Sequence, residues 1–400
     1  MLHASRTALT QAPHIKLHQL RRFDDRLEAH LDGLLIAGEH AWPYFESALG
    51  TSEAGAVFTA TVRALSDRQM SRLDQLFGLC EAVPEIRAGL LSAFGWSEAE
   101  KLRDIVVSLL RSENSFKRYT GIAACAMHRL DPGLASFNYF EDSDSAVRAR
   151  AWRTVGELGR REFVSAAVAA IASEDPACVF WAAWSAVLLG DRERALETLA
   201  QIAAVPGPFR LRAFQLTVLA MSPTAAQGWL QSLALDPANQ RWLIHGAGLS
   251  GDPKYVPWLI GHMADDALAR LAGEAFSVLT GLDLARLDLE RKPPQSLDSG
   301  PNDDPDDPNI EMDEDEGLPW PDEQRIGTWW TENSARFQSD LHTFMGEPLN
   351  GNCCRRVLSR GYQRQRIVAA LLQSLLNSDQ VLFEWRAPAW RQQRLLAQAG

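Results

Sequence analysis

Apolar residues recur along most of the chain at the three- and four-residue spacing of an amphipathic helix. Near the start, for example, Leu17, Leu20, Phe23, Leu27 and Leu31 follow this spacing. Runs of β-branched residues bounded by glycine and asparagine, which are typical of strands, are scarce. The pattern predicts an all-α protein.

One pattern within these helices repeats. Between Asp144 and Trp152, an acid is followed by a pair formed by an apolar residue and an arginine. A small residue lies three places after the arginine, and a large residue comes next. Along the chain, the position held by Val147 recurs every 30 to 32 residues, at Ala56, Ile86, Lys117, Val147, Val179, Phe209, Gln240 and Leu271. Four places later the residues are mostly small: Ala60, Leu90, Gly121, Ala151, Ala183, Ala213, Ile244 and Ala275. Small residues let neighbouring helices approach closely, so we expect about eight stacked helix pairs.

Arginine follows the recurring position in five repeats, as Arg87, Arg118, Arg148, Arg210 and Arg241. An acid usually lies four or five places before that position. Aspartate can cap the following helix, and proline fits the first turn, as in Asp175-Pro176. Arginine and acid at this spacing resemble the short HEAT repeats that also occur in bilin lyase-type proteins. We expect the arginine row to bridge to carboxylates or helix-end carbonyls of the adjacent repeat, with a partner-binding stripe as the alternative.

The repeats define four predicted regions. Residues 1–50 are a helical cap, 51–288 a HEAT-like solenoid, 289–317 an acidic flexible linker and 318–400 a tryptophan-rich helical unit. The linker carries ten acids and no Lys or Arg between Asp298 and Glu316, which favours an extended segment. Its acids lack the spacing of a calcium loop, and docking onto a basic surface of the same chain is an open alternative.

The last region combines tryptophans with a strongly patterned helix from about Arg355 to Leu376. Tryptophan and arginine are frequent at interface centres, although aromatic residues also build small cores. The candidate partner surface comprises Trp320, Trp329, Trp330, Arg355, Arg356, Arg360, Trp385 and Trp390.

The chain offers little for catalysis. Its nine histidines are scattered without a metal-binding motif, and no glycine-rich phosphate loop or nucleophile elbow occurs. Cys353 and Cys354 are interpreted as ordinary thiols at a helix start. We therefore expect no catalytic residues, cofactor or metal.

The net charge and the cysteines restrict the possible partners and the cellular compartment. The formal charge of -11 argues against a nucleic-acid partner, because affinity for phosphates comes mainly from basic groups. The five cysteines are odd in number, and neither an export signal nor a membrane span is evident. These features favour a cytoplasmic protein that binds no membrane.

Four strings resemble an uncharacterised bacterial HEAT-repeat family encoded beside type VI secretion spike and PAAR-type effector genes: Arg26–Leu34, Ala269–Phe276, Leu318–Pro321 and Arg386–Gln393. This resemblance implies a non-catalytic adaptor that binds an effector or spike protein. A repeat-built enzyme, bilin-lyase-like or DNA-glycosylase-like, and a scaffold unrelated to secretion are the alternatives.

Overall fold

The computed structural model describes residues 1–11, 14–51, 53–294, 313–337 and 342–398. These residues contain 21 α-helices and one short antiparallel hairpin, which confirms an all-α solenoid. In chain order the helices are α1 (Leu2–Leu9), α2 (Leu17–Ile36), α3 (Trp42–Leu49), α4 (Ala54–Ser66), α5 (Met70–Ala82), α6 (Arg87–Trp96), α7 (Ala99–Leu110), α8 (Ser115–Met127), α9 (Ser145–Glu157), α10 (Val164–Ala170), α11 (Pro176–Leu188), α12 (Arg194–Ala204), α13 (Arg210–Ala220), α14 (Pro223–Leu233), α15 (Gln240–Leu249), α16 (Val256–His262), α17 (Ala269–Thr280), α18 (Glu323–Asn333), α19 (Gly351–Arg360), α20 (Gln363–Leu376) and α21 (Ala389–Gln398).

The chain divides into two compact units. Unit 1 comprises Met1–Leu199, Ser359–Gln363 and Gln373–Gly400, and unit 2 comprises Ala200–Leu358 and Arg364–Leu372. The hairpin, β1 (Thr343–Phe344) with β2 (Glu347–Pro348), lies in unit 2 and pairs Thr343 with Pro348. The four regions expected from the sequence remain a prediction, and residues 295–312 of the expected linker lie outside the described residues.

The recurring sequence position marks the start of alternate helices. Val147 and Leu271 are the third residues of α9 and α17, Gln240 is the first residue of α15, and Phe209 directly precedes α13. The position four places later is buried in every repeat, from Ala60 in α4 to Ala275 in α17. The period of about 31 residues is therefore the period of the helix stack.

One repeat departs from the predicted helix pair. Residues 128–144, which precede α9, form an irregular connection with a short 3-10 turn over Tyr139–Glu141 in place of a first helix. Pro132 is followed by Gly133, whose φ of +86° a helix cannot accommodate. Leu134 and Tyr139 are nevertheless buried, so the connection contributes to the core.

Aspartate side chains cap the N-termini of several of these helices, as the sequence predicts. The Asp175 carboxylate accepts the backbone N–H of Cys178 at 2.8 Å, and Pro176 opens α11. Asp144 caps α9 by accepting the N–H of Ala146 at 2.9 Å. These bonds satisfy backbone donors that a helix start leaves free.

The five cysteines are all buried and unpaired in disulfides. Burial raises the pKa of Cys354 to about 12 and also raises the pKa of Cys353. Cys353 and Cys354 thus lie buried near the start of α19, and their interpretation as ordinary thiols remains a prediction. No helix in the described ranges has both the length and the apolar character needed to cross a membrane.

Close helix packing at Gly89 gives a testable expectation. A Cβ atom on Gly89 of α6 would lie 2.0 Å from the backbone oxygen of Ala54 in α4, so Gly89→Ala must push these helices apart. We expect it to lower the free energy of unfolding by about 1–3 kcal/mol in urea denaturation followed by circular dichroism.

Gly78 of α5 is the matched control. A Cβ atom there would meet nothing within 4 Å, so Gly78→Ala should raise stability by up to about 1 kcal/mol through helix propensity alone. Equal effects of the two substitutions would contradict the close contact.

Candidate partner-binding surface

The guanidinium groups of the arginine row form hydrogen bonds with other residues of the repeats. Arg118 forms a forked pair with Asp142, with Nε–Oδ2 at 2.7 Å and Nη2–Oδ1 at 2.8 Å. Its Nη1 also donates to the backbone oxygen of Glu113, at 2.7 Å. Burial alone would raise the pKa of Asp142, but its bond with Arg118 holds that pKa below the ordinary value. Arg118 thus links the connection before its own helix to the next repeat.

Other arginines of the row also donate hydrogen bonds to backbone oxygens or to the next repeat. Arg87 donates to the backbone oxygen of Cys80 at 2.9 Å, and Arg148 donates to that of Asp142 at 2.6 Å. Arg210 reaches the next repeat through the Asn239 side chain, at 2.9 Å. Helix-end carbonyls have no partner within their own helix, so these bonds stabilise the stack. A partner-binding role for the row remains a prediction.

Arg241, the last member of the row, meets the acidic segment. Its Nη2 lies 2.8 Å from Oδ1 of Asp315, while Arg270 forms a forked pair with Asp313 at 2.6 and 2.8 Å. Trp320 lies beneath Arg270, whose Cζ is 4.7 Å from the ring centroid. The described end of the acidic run therefore binds arginines of the last two repeats.

The tryptophans of α18 pack on the core of unit 2. Trp329 contacts Phe276 edge to face at 6.1 Å, and Ile326 on the same helix is fully buried. Trp330 is also partly buried against this cluster. Repeat arrays need an element that covers their last apolar face, and α18 covers that of α16 and α17.

The remaining residues of the predicted partner surface fall in both units. In unit 2, Arg356 pairs with Glu347, and Arg355 is half-buried. In unit 1, Arg360 is exposed, whereas Trp385 and Trp390 are half-buried. Binding of a partner by these residues is a prediction that the contacts leave open.

Sequence reasoning missed the contacts of the C-terminal segment, residues 377–398 of unit 1. Its Leu382 donates its backbone N–H to the oxygen of Glu157 at the end of α9, at 3.0 Å, and accepts Arg129 Nε at 2.7 Å. Farther on, Arg391 donates to the oxygens of Gly95 and Ser97, at 3.0 and 3.2 Å. The C-terminal segment thus contacts the ends of α9, α8 and α6, in the reverse of chain order.

Asp24 of α2 fixes the start of α21. Its carboxylate is fully buried, accepts the backbone N–H of Ala389 at 2.7 Å and pairs with Arg6 Nε at 2.7 Å. Arg6 also donates to the backbone oxygen of Arg386, at 3.1 Å. One carboxylate therefore joins the first helix, α2 and the C-terminal segment.

A group of charged side chains lies where the C-terminal segment meets α8 and α9. We call it the arginine cluster: Arg129, Arg150, Arg153, Arg386, Glu157 and Glu384. Glu157 contacts Arg150 and lies 2.7 Å from Arg153 Nε, and Glu384 lies 2.9 Å from Arg129 Nη2. Burial alone would raise the pKa of Glu157, but the charges of Arg150, Arg153 and Arg129 lower it to about 2.

Unit 2 contains a second buried polar group, on α13, α15 and α17. The side chains of Gln215 and His245 lie 3.5 Å apart, and Oε1 of Glu274 accepts no hydrogen bond from the described residues. Burial raises the pKa of Glu274 and lowers that of His245 to about 3. Among the described residues no group of three or more His, Cys, Asp or Glu side chains could hold a metal ion.

Residues 135–220, from the connection before α9 to the end of α13, match the family model of HEAT repeats. This stretch of the chain is therefore similar to HEAT repeats. Comparisons with curated proteins and with solved structures give no match. The HEAT stretch includes Arg148 and Arg210 of the arginine row and three members of the arginine cluster. HEAT repeats are commonly protein-interaction scaffolds.

Proposed function

We propose that this HEAT-repeat chain is a non-catalytic scaffold that binds another protein. The observation that carries the proposal is the C-terminal segment, which lies across the ends of α6, α8 and α9. There the repeats hold a polypeptide through its backbone, as between Leu382 and Arg129, and through a side-chain charge, as between Glu384 and Arg129. A surface with these donors and acceptors suits the recognition of a second polypeptide.

We further propose that the partner is an effector or spike protein of type VI secretion and that the two meet in the cytoplasm. The strings Arg26–Leu34, Ala269–Phe276, Leu318–Pro321 and Arg386–Gln393 support this, since they resemble the family encoded beside such genes. A stack of repeats also presents a large surface for a folded partner without any reaction centre.

Affinity capture tests the proposal. We expect the tagged full-length chain, cross-linked in cells of its own organism, to recover a spike or effector protein identified by mass spectrometry. Cross-links should map to the region of unit 1 around the ends of α6, α8 and α9. Recovery of general chaperones alone, which an unrelated tagged helical protein also captures, would rule out the adaptor role.

A further inference from the structure

The arginine cluster holds more positive than negative charge. Four guanidinium groups, from Arg129, Arg150, Arg153 and Arg386, face two carboxylates, from Glu157 and Glu384, which leaves an excess of two positive charges. Glu157 and Arg150 have side chains only 5% exposed, and Arg129 and Glu384 are 13% exposed. Buried charges are costly without partners, so an excess of this kind favours an additional anion.

Two of the four arginines provide the free donors. The Arg386 guanidinium makes no hydrogen bond or ion pair with any described residue, and its Nε is buried. Arg153 pairs with Glu157 through Nε only, so its two terminal nitrogens keep their hydrogen-bonding capacity within the described structure. The Arg386 backbone N–H donates to Oε1 of Glu384 at 3.1 Å, which places Arg386 beside the pair of Glu384 and Arg129. Burial lowers the pKa of Arg386, and the nearby charge of Arg153 lowers it further. Two cations held together with free donors are the arrangement that binds an anion.

The cluster is open to solvent on the Arg153 side. The Arg153 side chain is 28% exposed and lies over Trp181, with its Cζ 4.5 Å from the ring centroid. Arg386 and the nearby Tyr119 are half-buried. A ligand can therefore reach these guanidinium groups from outside, and the contact with Trp181 stabilises the position of Arg153.

We propose that Arg153 and Arg386 form a binding site for a carboxylate carried by a peptide segment of the partner protein. The inference rests on the proposed scaffold function and names the chemistry of its partner. Both anions already in the cluster are carboxylates, and one of them, Glu384, is presented to Arg129 by a non-helical stretch, residues 381–384. The planar guanidinium matches a carboxylate in two parallel hydrogen bonds, so a second peptide carboxylate fits the same geometry.

The test uses the full-length chain and a fluorescein-labelled tetraglutamate peptide with an amidated C-terminus. We expect fluorescence anisotropy to show binding, and Arg386→Gln and Arg153→Gln each to raise Kd about tenfold. Arg103→Gln is the matched control, since Arg103 is exposed in unit 1 and has no ion pair in the described ranges, and should change Kd less than about twofold. Tetraglutamine should not bind.

The thermal stability of Arg386→Gln distinguishes a binding role of Arg386 from a structural one. Arg386→Gln removes a half-buried cation that has no ion pair among the described residues, so its midpoint of thermal unfolding should equal or exceed that of the wild type. A lower midpoint together with lost peptide binding would assign Arg386 a structural role and overturn the inference. Equal Kd values for the wild type and Arg386→Gln would also overturn it, and tighter binding of a phosphoserine peptide would overturn the choice of carboxylate.

The two proposals fail separately. If capture from cells recovers a secretion protein but tetraglutamate binding does not depend on Arg386, the scaffold stands and the carboxylate site is wrong. If capture recovers chaperones alone while tetraglutamate binding does depend on Arg153 and Arg386, the site stands and the adaptor role is wrong.

Discussion

Replacing Glu157 with glutamine is expected to lower the free energy of unfolding by about 3–5 kcal/mol, since it removes one partner from a buried ion pair. The Glu157 side chain is 5% exposed and lies among Arg150, Arg153 and Arg129. Glutamine has nearly the same shape, so the loss comes from charge and not from packing. Urea denaturation at pH 7, followed by far-UV circular dichroism, measures the change.

The same substitution alters how stability depends on pH. Since the folded-state pKa of Glu157 is about 2, below its ordinary value of 4.5, its ionised form stabilises the fold. This contribution is fully present above pH 4.5 and is lost as the pH falls from about 4.5 to about 2. The difference in stability between the wild type and Glu157→Gln should therefore shrink over this range.

Glu162→Gln is the matched control for Glu157. Glu162 lies shortly after the same helix, pairs with Arg160 at 2.5 Å and has a side chain that is 56% exposed. Exposed pairs contribute at most about 1 kcal/mol, so this variant should stay near the wild type at pH 7. If Glu157→Gln and Glu162→Gln lose similar free energies of unfolding, the ion pairs of the arginine cluster stabilise the fold no more than a surface pair does.

The repeats could be predicted because their determinants are local. Val147, its counterparts and the small residues four places later all lie within one helix pair, and the same steric need recurs in each repeat. The cap at Asp175 is also local, since it depends on an acid and a proline in adjacent positions. Such features depend on neighbours in sequence and leave a periodic pattern.

The candidate site could not be predicted in this way, because its contacts join distant parts of the chain. Arg391 donates to Gly95, almost 300 residues earlier, and no sequence pattern relates the two positions. A single helix was expected from about Arg355 to Leu376, but the structure ends α19 at Arg360 and begins α20 at Gln363. Gly361, directly after α19, is a local signal for the end of that helix. The partners at the break are tertiary, since Tyr362 forms a β-bridge with Lys16 and Gln363 donates to the backbone oxygen of Ile15 at 2.8 Å. The spacing of apolar residues in the sequence does not indicate these partners.

Asp24→Asn tests whether the C-terminal segment depends on a single carboxylate. Asp24 is fully buried and neutralises Arg6, whose side chain is 12% exposed, while accepting the N–H of Ala389. Asparagine can keep one of these bonds but leaves Arg6 without a counter-charge. We expect a loss of about 3–5 kcal/mol in urea denaturation, with earlier tryptic cleavage in α21.

Asp25→Asn, one residue away, provides the comparison. Asp25 is 49% exposed and pairs with Arg21 at 2.7 Å on the surface of α2, so its substitution should change stability by less than about 1 kcal/mol and leave the cleavage of α21 unchanged. If Asp24→Asn unfolds at the wild-type urea concentration, the C-terminal segment is held by its apolar contacts alone. Leu382 and Ala389, both buried, would then be the residues that keep the segment on the repeats.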